Sequence, residues 1–174
     1  VDDVEVGYQA TKHLFENKHE SLALITKIDD LQGKYRMKGF IKAHEEAGKI
    51  FDPGYLYTYT TETKAQVMEQ LIQQLTETNN GITGIICYND EIAYELTQVL
   101  IVKGKKVPLD FSIVGNDDSF LSRAGHVHLT TLSHPKEVLG ETAAEKIVAA
   151  IEKEEVTNKV FKPILIKRQS VNKI

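Results

Sequence analysis

The sequence is poor in the residues that build disulfides, metal clusters and membrane spans. Cys87 is the single cysteine among 174 residues, which excludes an internal disulfide and a cysteine-based metal cluster. It lies within an apolar run, which predicts a buried and unreactive thiol. No run approaches the ~18 apolar residues of a membrane span, and no signal peptide opens the chain. We therefore expect no membrane partner and a cytoplasmic location.

Positive charge is also scarce. The 21 Lys and Arg residues are outnumbered by 25 Asp and Glu residues, so the net charge is −4 at pH 7. Because binding to a nucleic-acid backbone requires a basic face, this segment is not expected to bind nucleic acid by itself. With 41% apolar residues it is long enough for the core of one domain or slightly more. The opening Val1-Asp2-Asp3 has no initiator Met and predicts a fragment of a longer protein.

Short apolar runs alternate with stretches of helical apolar spacing, which predicts an α/β fold with a parallel sheet flanked by helices. The predicted strands are Leu22–Ile25, Tyr55–Tyr59, Ile82–Tyr88, Phe111–Val114 and Phe161–Lys167. Pro163 marks the last of them as an edge strand or a late start. Asn79-Asn80-Gly81 is the predicted exit of the third helix.

Two predicted strands end in clusters of Asn and Asp, in Tyr88-Asn89-Asp90 and in Asn116-Asp117-Asp118. The carboxyl ends of strands in an open parallel sheet are where a ligand crevice forms. Amide donors and carboxylate acceptors there suit a small polyhydroxylated molecule. At the first cluster Asn89 is the better ligand candidate, while Asp90 is equally well explained as a helix N-cap. Capping explains the second cluster less well, so binding is favoured there.

Arg36 follows a third polar strand end, at Asp29-Asp30, and is predicted to lie on the first turn of a helix. Its planar fork of donors could hold vicinal hydroxyls or a carboxylate. The alternative is a surface arginine paired with Asp29 or Asp30.

Support for catalysis is weak. His126 and His128 would share one side of a strand, but no third ligand lies near them in sequence, so we expect no metal. The sequence contains neither a glycine-rich phosphate loop nor a nucleophile elbow. We therefore expect no catalytic residues and no cofactor.

Several segments resemble, in the same order over nearly the whole chain, the effector domain of the lac/galactose repressor family. They are Asp3–Leu14, Arg36–Phe40, Tyr88–Ala93, Ile113–Asp118, Leu129–Pro135 and Leu165–Val171. Within the family, residues 29–33, 39–44 and 134–136 look most similar to members that control arabinose use in Gram-positive bacteria. Those members join this domain to a winged-helix DNA-binding head of the GntR type.

The resemblance implies a type I periplasmic-binding-protein-like fold with two lobes and a sugar held between them. Residues 1–128 would form most of the C-terminal lobe, and residues 156–174 would return to it with a closing strand. Residues 129–155 would be an excursion belonging to the N-terminal lobe. Without the sheet of that lobe, the helix of the excursion would expose an apolar stripe.

The resemblance also implies which residues bind the effector. By motif position, Arg36, Asn89 and Asp117 would contact the sugar from the C-terminal lobe. Asp30 and Gln32 lie in a loop that contacts effector in relatives. Tyr59, or Thr61 beside it, lies where relatives place a ring-stacking aromatic. The chain departs from the family in carrying Asn116 where a Tyr is more common.

The function implied is that of a sugar-responsive transcriptional repressor whose effector, L-arabinose, lowers its affinity for operator DNA. The DNA would be bound by a head that precedes the effector domain and is absent from these residues, and a homodimer is expected. One alternative is the periplasmic sugar-binding protein of a transporter, which shares the fold. Another is an enzyme, such as a hydrolase or isomerase, that uses the Asp pairs on a sugar.

Overall fold

A computed structural model describes residues 1–78 and 80–174; Asn79, part of the predicted exit of the third helix, lies outside the described residues. Helices and strands alternate along the chain, as the apolar pattern predicts. The helices are α1 (Asp3–Glu16), α2 (Leu31–Glu46), α3 (Lys64–Glu77), α4 (Asp90–Val102), α5 (Leu121–Ala124) and α6 (Lys136–Ile151). The strands are β1 (Leu22–Lys27), β2 (Leu56–Tyr59), β3 (Gly84–Cys87), β4 (Ser112–Asn116), β5 (Thr130–Ser133) and β6 (Ile164–Ile166).

The strands form one sheet in the order β2-β1-β3-β4-β5-β6. Strands β1 to β5 are parallel, and β6 pairs antiparallel with β5 at the edge. The predicted α/β class is confirmed, and Pro163 directly precedes this edge strand. The winding direction reverses between β1 and β3, which in open α/β sheets is the point where ligands bind.

Alternate residues of β1 enter two different cores, because successive side chains of a strand point to opposite faces. Leu22 and Leu24 pack with α1 and α2, and the core on that face includes Phe40. Ala23 and Ile25 belong to the core on the other face, which contains the apolar residues of α3 and α4. The sheet is thus covered by helices on both sides. Cys87 is buried, as predicted.

The structure corrects three predictions about local structure. Asn89, not Asp90, is the N-cap of α4, and its side chain accepts a hydrogen bond from the backbone N–H of Ile92. Arg36 lies in the second turn of α2 rather than the first, because the helix already begins at Leu31. His126 and His128 lie in the connection between α5 and β5 and are not in a strand.

The predicted excursion at residues 129–155 includes one strand of this sheet. Thr130–Ser133 form β5, which pairs with β4 on one side and β6 on the other, so these residues belong to the sheet. That α6 belongs to another lobe stays a prediction. Its Val138, Ile147 and Ile151 are exposed. Among the described residues, no helix is both long and apolar enough to cross a bilayer.

Candidate effector-binding site

The carboxyl ends of the parallel strands lie along one edge of the sheet, and a polar segment follows each of four of them. Asp30 follows β1, Tyr88 follows β3, Asp117 follows β4 and His134 follows β5. Hydrogen bonds and ion pairs join these four residues and Arg36 into one cluster, which we call the strand-end cluster. The cluster spans the point between β1 and β3 at which the winding reverses.

Tyr88 makes the most connections within the strand-end cluster. Its hydroxyl donates to Oδ2 of Asp30 at 2.6 Å, and its backbone carbonyl accepts from Nη1 of Arg36 at 2.6 Å. The Arg36 guanidinium lies over the Tyr88 ring, 4.9 Å from its centroid, in cation–π geometry. Burial and the Asp30 hydrogen bond both raise the pKa of Tyr88, so the phenol stays protonated at neutral pH.

Arg36 is paired with Asp3 of α1 and not with Asp29 or Asp30, the partners considered from the sequence. Its Nε donates to Oδ1 of Asp3 at 3.0 Å, and its Nη2 lies 2.9 Å from the same oxygen. Nη2 also lies 4.0 Å from Oδ1 of Asp117, which is too long for a hydrogen bond. The Arg36 side chain is only 5% exposed, so few of its donors are open to a ligand.

Two glycines bring α1 and α2 close enough for the Asp3–Arg36 pair to form. A Cβ at Gly7 would lie 1.9 Å from the carbonyl oxygen of Arg36, and a Cβ at Gly39 would lie 2.0 Å from that of Val4. Because both contacts are with backbone atoms, any larger residue would push the two helices apart. The position of Arg36 therefore depends on helix packing as well as on its own helix.

Asp117 is partly accessible, with 38% of its side chain exposed, against 5% for Arg36. Its Oδ1 accepts from Nδ2 of Asn116 at 2.5 Å and lies 3.2 Å from Nε2 of His134. Its φ of 107° is unusual for a residue with a side chain, and the next residue, Asp118, also has a positive φ of 45°. Strained backbone of this kind persists only where the surroundings hold it, and it is frequent at ligand sites.

Arg168 and Asp90 hold this strained loop from two sides. Arg168 pairs with Asp118. Burial raises the pKa of Asp118, but the hydrogen bond and the charge of Arg168 outweigh this effect, so the pKa lies below its ordinary value. Asp90 accepts from the backbone N–H of Ser119 at 2.7 Å and from Oγ1 of Thr131 at 2.6 Å. Burial raises the pKa of Asp90, while these two hydrogen bonds oppose the shift. Asp90 thus braces the loop and does not cap the helix.

The other predicted site residues differ in their placement. Asp30 is the N-cap of α2, so one of its oxygens binds the N–H of Gly33 while the other receives Tyr88. Asn89 lines a groove of about 260 Å³ at this edge of the sheet, together with Tyr59 and Tyr88. Gln32 is exposed on the first turn of α2.

Tyr59, predicted to stack on a sugar ring, is only 3% exposed. Its ring packs edge-to-face on Tyr88 with the centroids 6.2 Å apart. Burial raises the pKa of Tyr59, with the neighbouring Tyr88 adding to the effect. Thr61, the alternative at this position, donates to Asp29 from both its backbone N–H and its hydroxyl.

Sequence reasoning missed three members of the site: Asp3, Tyr88 and His134. Tyr88 lies in a motif already singled out at a strand end, so its position was a usable signal, whereas His134 lies in Leu129–Pro135, a segment singled out only for its family resemblance. Asp3 had no such signal, because it meets Arg36 only through the packing of α1 on α2. Within the described part of the chain, no group of three or more His, Cys, Asp or Glu side chains could hold a metal ion.

A larger groove lies on the outer face of α3 and α4. It has a volume of about 670 Å³, an apolar floor with Met68, Ile72 and Val99, and a charged rim. Lys64 and Lys103 contribute positive charge to this rim, alongside several glutamates.

Comparison with known proteins places the chain in a family. Residues 11–171 match the model of the periplasmic binding protein-like domain. An arabinose metabolism transcriptional repressor from Halalkalibacterium halodurans is 44% identical over 98% of this chain, and one from Geobacillus stearothermophilus is 38% identical over all of it. The chain spans about half the length of these relatives, 48% and 49%.

Solved structures show the same fold. A LacI transcriptional regulator from a Rhodococcus species superposes with a TM-score of 0.84 at 30% identity, over 99% of this chain and 63% of that one. A LacI family regulator from Enterococcus faecium with bound ribose gives a TM-score of 0.86 at 27% identity, over 100% of this chain and 65% of that one. The predicted periplasmic-binding-protein-like fold is confirmed.

Proposed function

The chain belongs to the periplasmic binding protein-like domain family, and from that premise we propose that it is the effector-binding part of a sugar-responsive transcriptional repressor. The observation that carries the proposal is the strand-end cluster, in which Arg36, Tyr88 and Asp117 converge where the winding of the sheet reverses. The two relatives named as arabinose metabolism repressors support L-arabinose as the effector. No catalytic step is proposed.

The cluster suits a neutral sugar with several hydroxyls. A hydroxyl oxygen lying to one side of the line that joins Arg36 Nη2 and Asp117 Oδ1, now 4.0 Å apart, could accept from the first and donate to the second. The amide of Asn89 and the exposed amide of Gln32 offer further donors and acceptors, and Asp30 offers a carboxylate. Tyr59 would support the site through the Tyr88 ring rather than by stacking on the sugar.

Regulation depends on a difference between the sugar affinities of two arrangements of the protein. A sugar changes operator binding only to the extent that it binds two arrangements of the protein unequally, typically by ~1–3 kcal/mol. We propose that L-arabinose favours the arrangement with low operator affinity. Operator DNA would be bound by a DNA-binding head outside these residues, in the cytoplasm.

The proposed repressor is a homodimer, and the groove on α3 and α4 is a suitable contact surface. A two-fold dimer presents the same patch to itself, so the patch must be self-complementary. An apolar floor with both signs of charge around it is compatible with that requirement.

A calorimetric titration tests the effector. L-Arabinose, D-xylose, D-ribose and D-galactose are titrated separately into the full chain, by which we mean the protein with the predicted N-terminal lobe included. Saturable heat with L-arabinose alone is expected. Saturation with another of these sugars, or with none of them, would contradict the assignment of L-arabinose.

A further inference from the structure

The charge of Arg36 is already paired inside the protein. Asp3 occupies Nε and Nη2 of its guanidinium at 3.0 and 2.9 Å, and the Tyr88 carbonyl occupies Nη1. Side-chain exposure is 5% for Arg36 and 10% for Asp3, so little water screens the pair. Arg36 therefore offers a ligand fixed N–H donors, but not an uncompensated positive charge.

The charged groups linked directly to this pair, or to it through Tyr88, are negative. Asp117 lies 4.0 Å from Arg36 Nη2, and Asp30 is connected to the cluster through the Tyr88 hydroxyl. The strand-end cluster and Asp3 thus contain three carboxylates and one arginine, with His134 beside Asp117. Lys27, at the end of β1, is itself paired with Asp29 at 3.6 Å. An anionic ligand would meet repulsion that a neutral sugar does not.

We propose that Asp3 determines specificity at this site by neutralising Arg36, so that the site accepts neutral sugars and rejects phosphorylated ones. Asp3 acts through Arg36 and is a positioning residue, since the guanidinium lies between it and Asp117. The inference rests on the proposed function, because it concerns which sugars the same site accepts.

Glu5 provides a matched control. It lies on the same first turn of α1 as Asp3, so either carboxylate interacts with the positive end of the helix dipole. Glu5 accepts a hydrogen bond from Gln9 of its own helix. Asp3→Asn and Glu5→Gln therefore remove equal charge from one helix turn, but only the first changes the partner of Arg36.

The experiment measures Kd for L-arabinose and for D-ribose 5-phosphate by calorimetry, in the full chain and in the variants Asp3→Asn, Asp3→Glu and Glu5→Gln. In Asp3→Asn the preference for L-arabinose over D-ribose 5-phosphate should fall at least tenfold. Asp3→Glu keeps the charge and should keep most of the preference, and Glu5→Gln should leave it within twofold. If Asp3 had a purely structural role, Asp3→Asn would weaken the binding of both sugars alike. The ratio of the two Kd values would then stay unchanged, which would overturn the proposal.

A second readout does not depend on the sugar. The Nε–H of Arg36 should exchange slowly with solvent in nitrogen-edited NMR spectra, and at least tenfold faster in Asp3→Ala, while Glu5→Gln leaves the rate unchanged. If neither sugar binds the unmodified protein, the proposed effector fails, and the exchange rates alone decide whether Asp3 holds Arg36. Equal rates in Asp3→Ala and the unmodified protein would overturn that role.

Discussion

The hydroxyl of Tyr88 donates to Oδ2 of Asp30 at 2.6 Å, and this bond joins the ends of β3 and β1 across the point where the sheet reverses its winding. Asp30 uses its other oxygen to cap α2, the helix that carries Arg36. Arg36 in turn donates to the carbonyl of Tyr88. The three residues form a closed circuit, so disturbing one of them is expected to disturb the others.

Replacing Tyr88 by Phe tests this circuit. The ring and its contacts with Arg36 and Tyr59 remain, while the hydrogen bond to Asp30 is lost. Hydrogen bonds to charged groups contribute about 1.5–3 kcal/mol, and partial exposure of the pair favours the lower end. We expect the free energy of unfolding to fall by about 1.5 kcal/mol, or about 3–6 °C in Tm, in thermal denaturation followed by circular dichroism.

Tyr35→Phe is the control for this prediction. Tyr35 lies on the same helix as Arg36, is 40% exposed, and has no part in the circuit. Its Tm should stay within about 1 °C of that of the unmodified protein, as is usual for surface changes. If both variants melted alike, the Tyr88–Asp30 bond would not contribute to stability.

Removing the carboxylate of Asp117 tests the binding site itself. Asp117→Ala should raise Kd for L-arabinose at least tenfold, about 1.4 kcal/mol, because the accessible acceptor of the strand-end cluster is lost. Glu20→Ala removes an exposed carboxylate just before β1, at the opposite edge of the sheet, and should leave Kd unchanged. An unchanged Kd in folded Asp117→Ala would remove Asp117 from the site.

The polar clusters that follow β1, β3 and β4 could be predicted from the sequence, because each is a local pattern, whereas β5 was not among the predicted strands. β-Branched runs, the Asn-Asp clusters and the helical spacing each lie within a few neighbouring residues. The N-cap of α4 was misplaced by one position because Asn89 and Asp90 are adjacent and both are good caps. Such a pattern identifies the end of an element more reliably than the residue that performs the capping.

The connections between the strand ends could not be predicted in this way. Asp3 and Arg36 are 33 positions apart, and their meeting depends on the backbone contacts at Gly7 and Gly39. Asp30 and Tyr88 are 58 positions apart. Nothing in either local segment specifies its partner, so the pairing emerges only when the helices pack on the sheet.

Because three of its histidines are buried, we expect the protein to lose stability in mild acid. Burial is the main cause that lowers the pKa of His13, His19 and His44 below the ordinary value of 6.5. Below pH 6.5 the unfolded chain therefore binds more protons than the folded one. The free energy of unfolding should fall as the pH drops from 6.5 towards the lowered pKa values, and this contribution is fully present above 6.5.

Urea denaturation at several pH values between 5 and 7.5 measures this dependence. His44 lies among the rings of Phe15, Phe40 and Phe51, so His44→Phe keeps an aromatic ring but cannot take up a proton. The free energy of unfolding of His44→Phe should therefore change less with pH than that of the unmodified protein. His126→Phe, at an exposed position, should show the same change with pH as the unmodified protein. Equal slopes in all three proteins would exclude His44 as a source of the effect.

A charge placed in the groove on α3 and α4 tests whether this surface forms the proposed homodimer. Val99 is a partly buried residue on its apolar floor, and in a two-fold contact Val99→Glu would place two unpaired carboxylates close together. We expect a dimer for the full chain and a monomer for Val99→Glu in size-exclusion chromatography with light scattering. Ile50→Glu is the control, because Ile50 is 97% exposed on the loop after α2 and should leave the dimer intact. A Val99→Glu variant that stayed dimeric would assign the interface to another face.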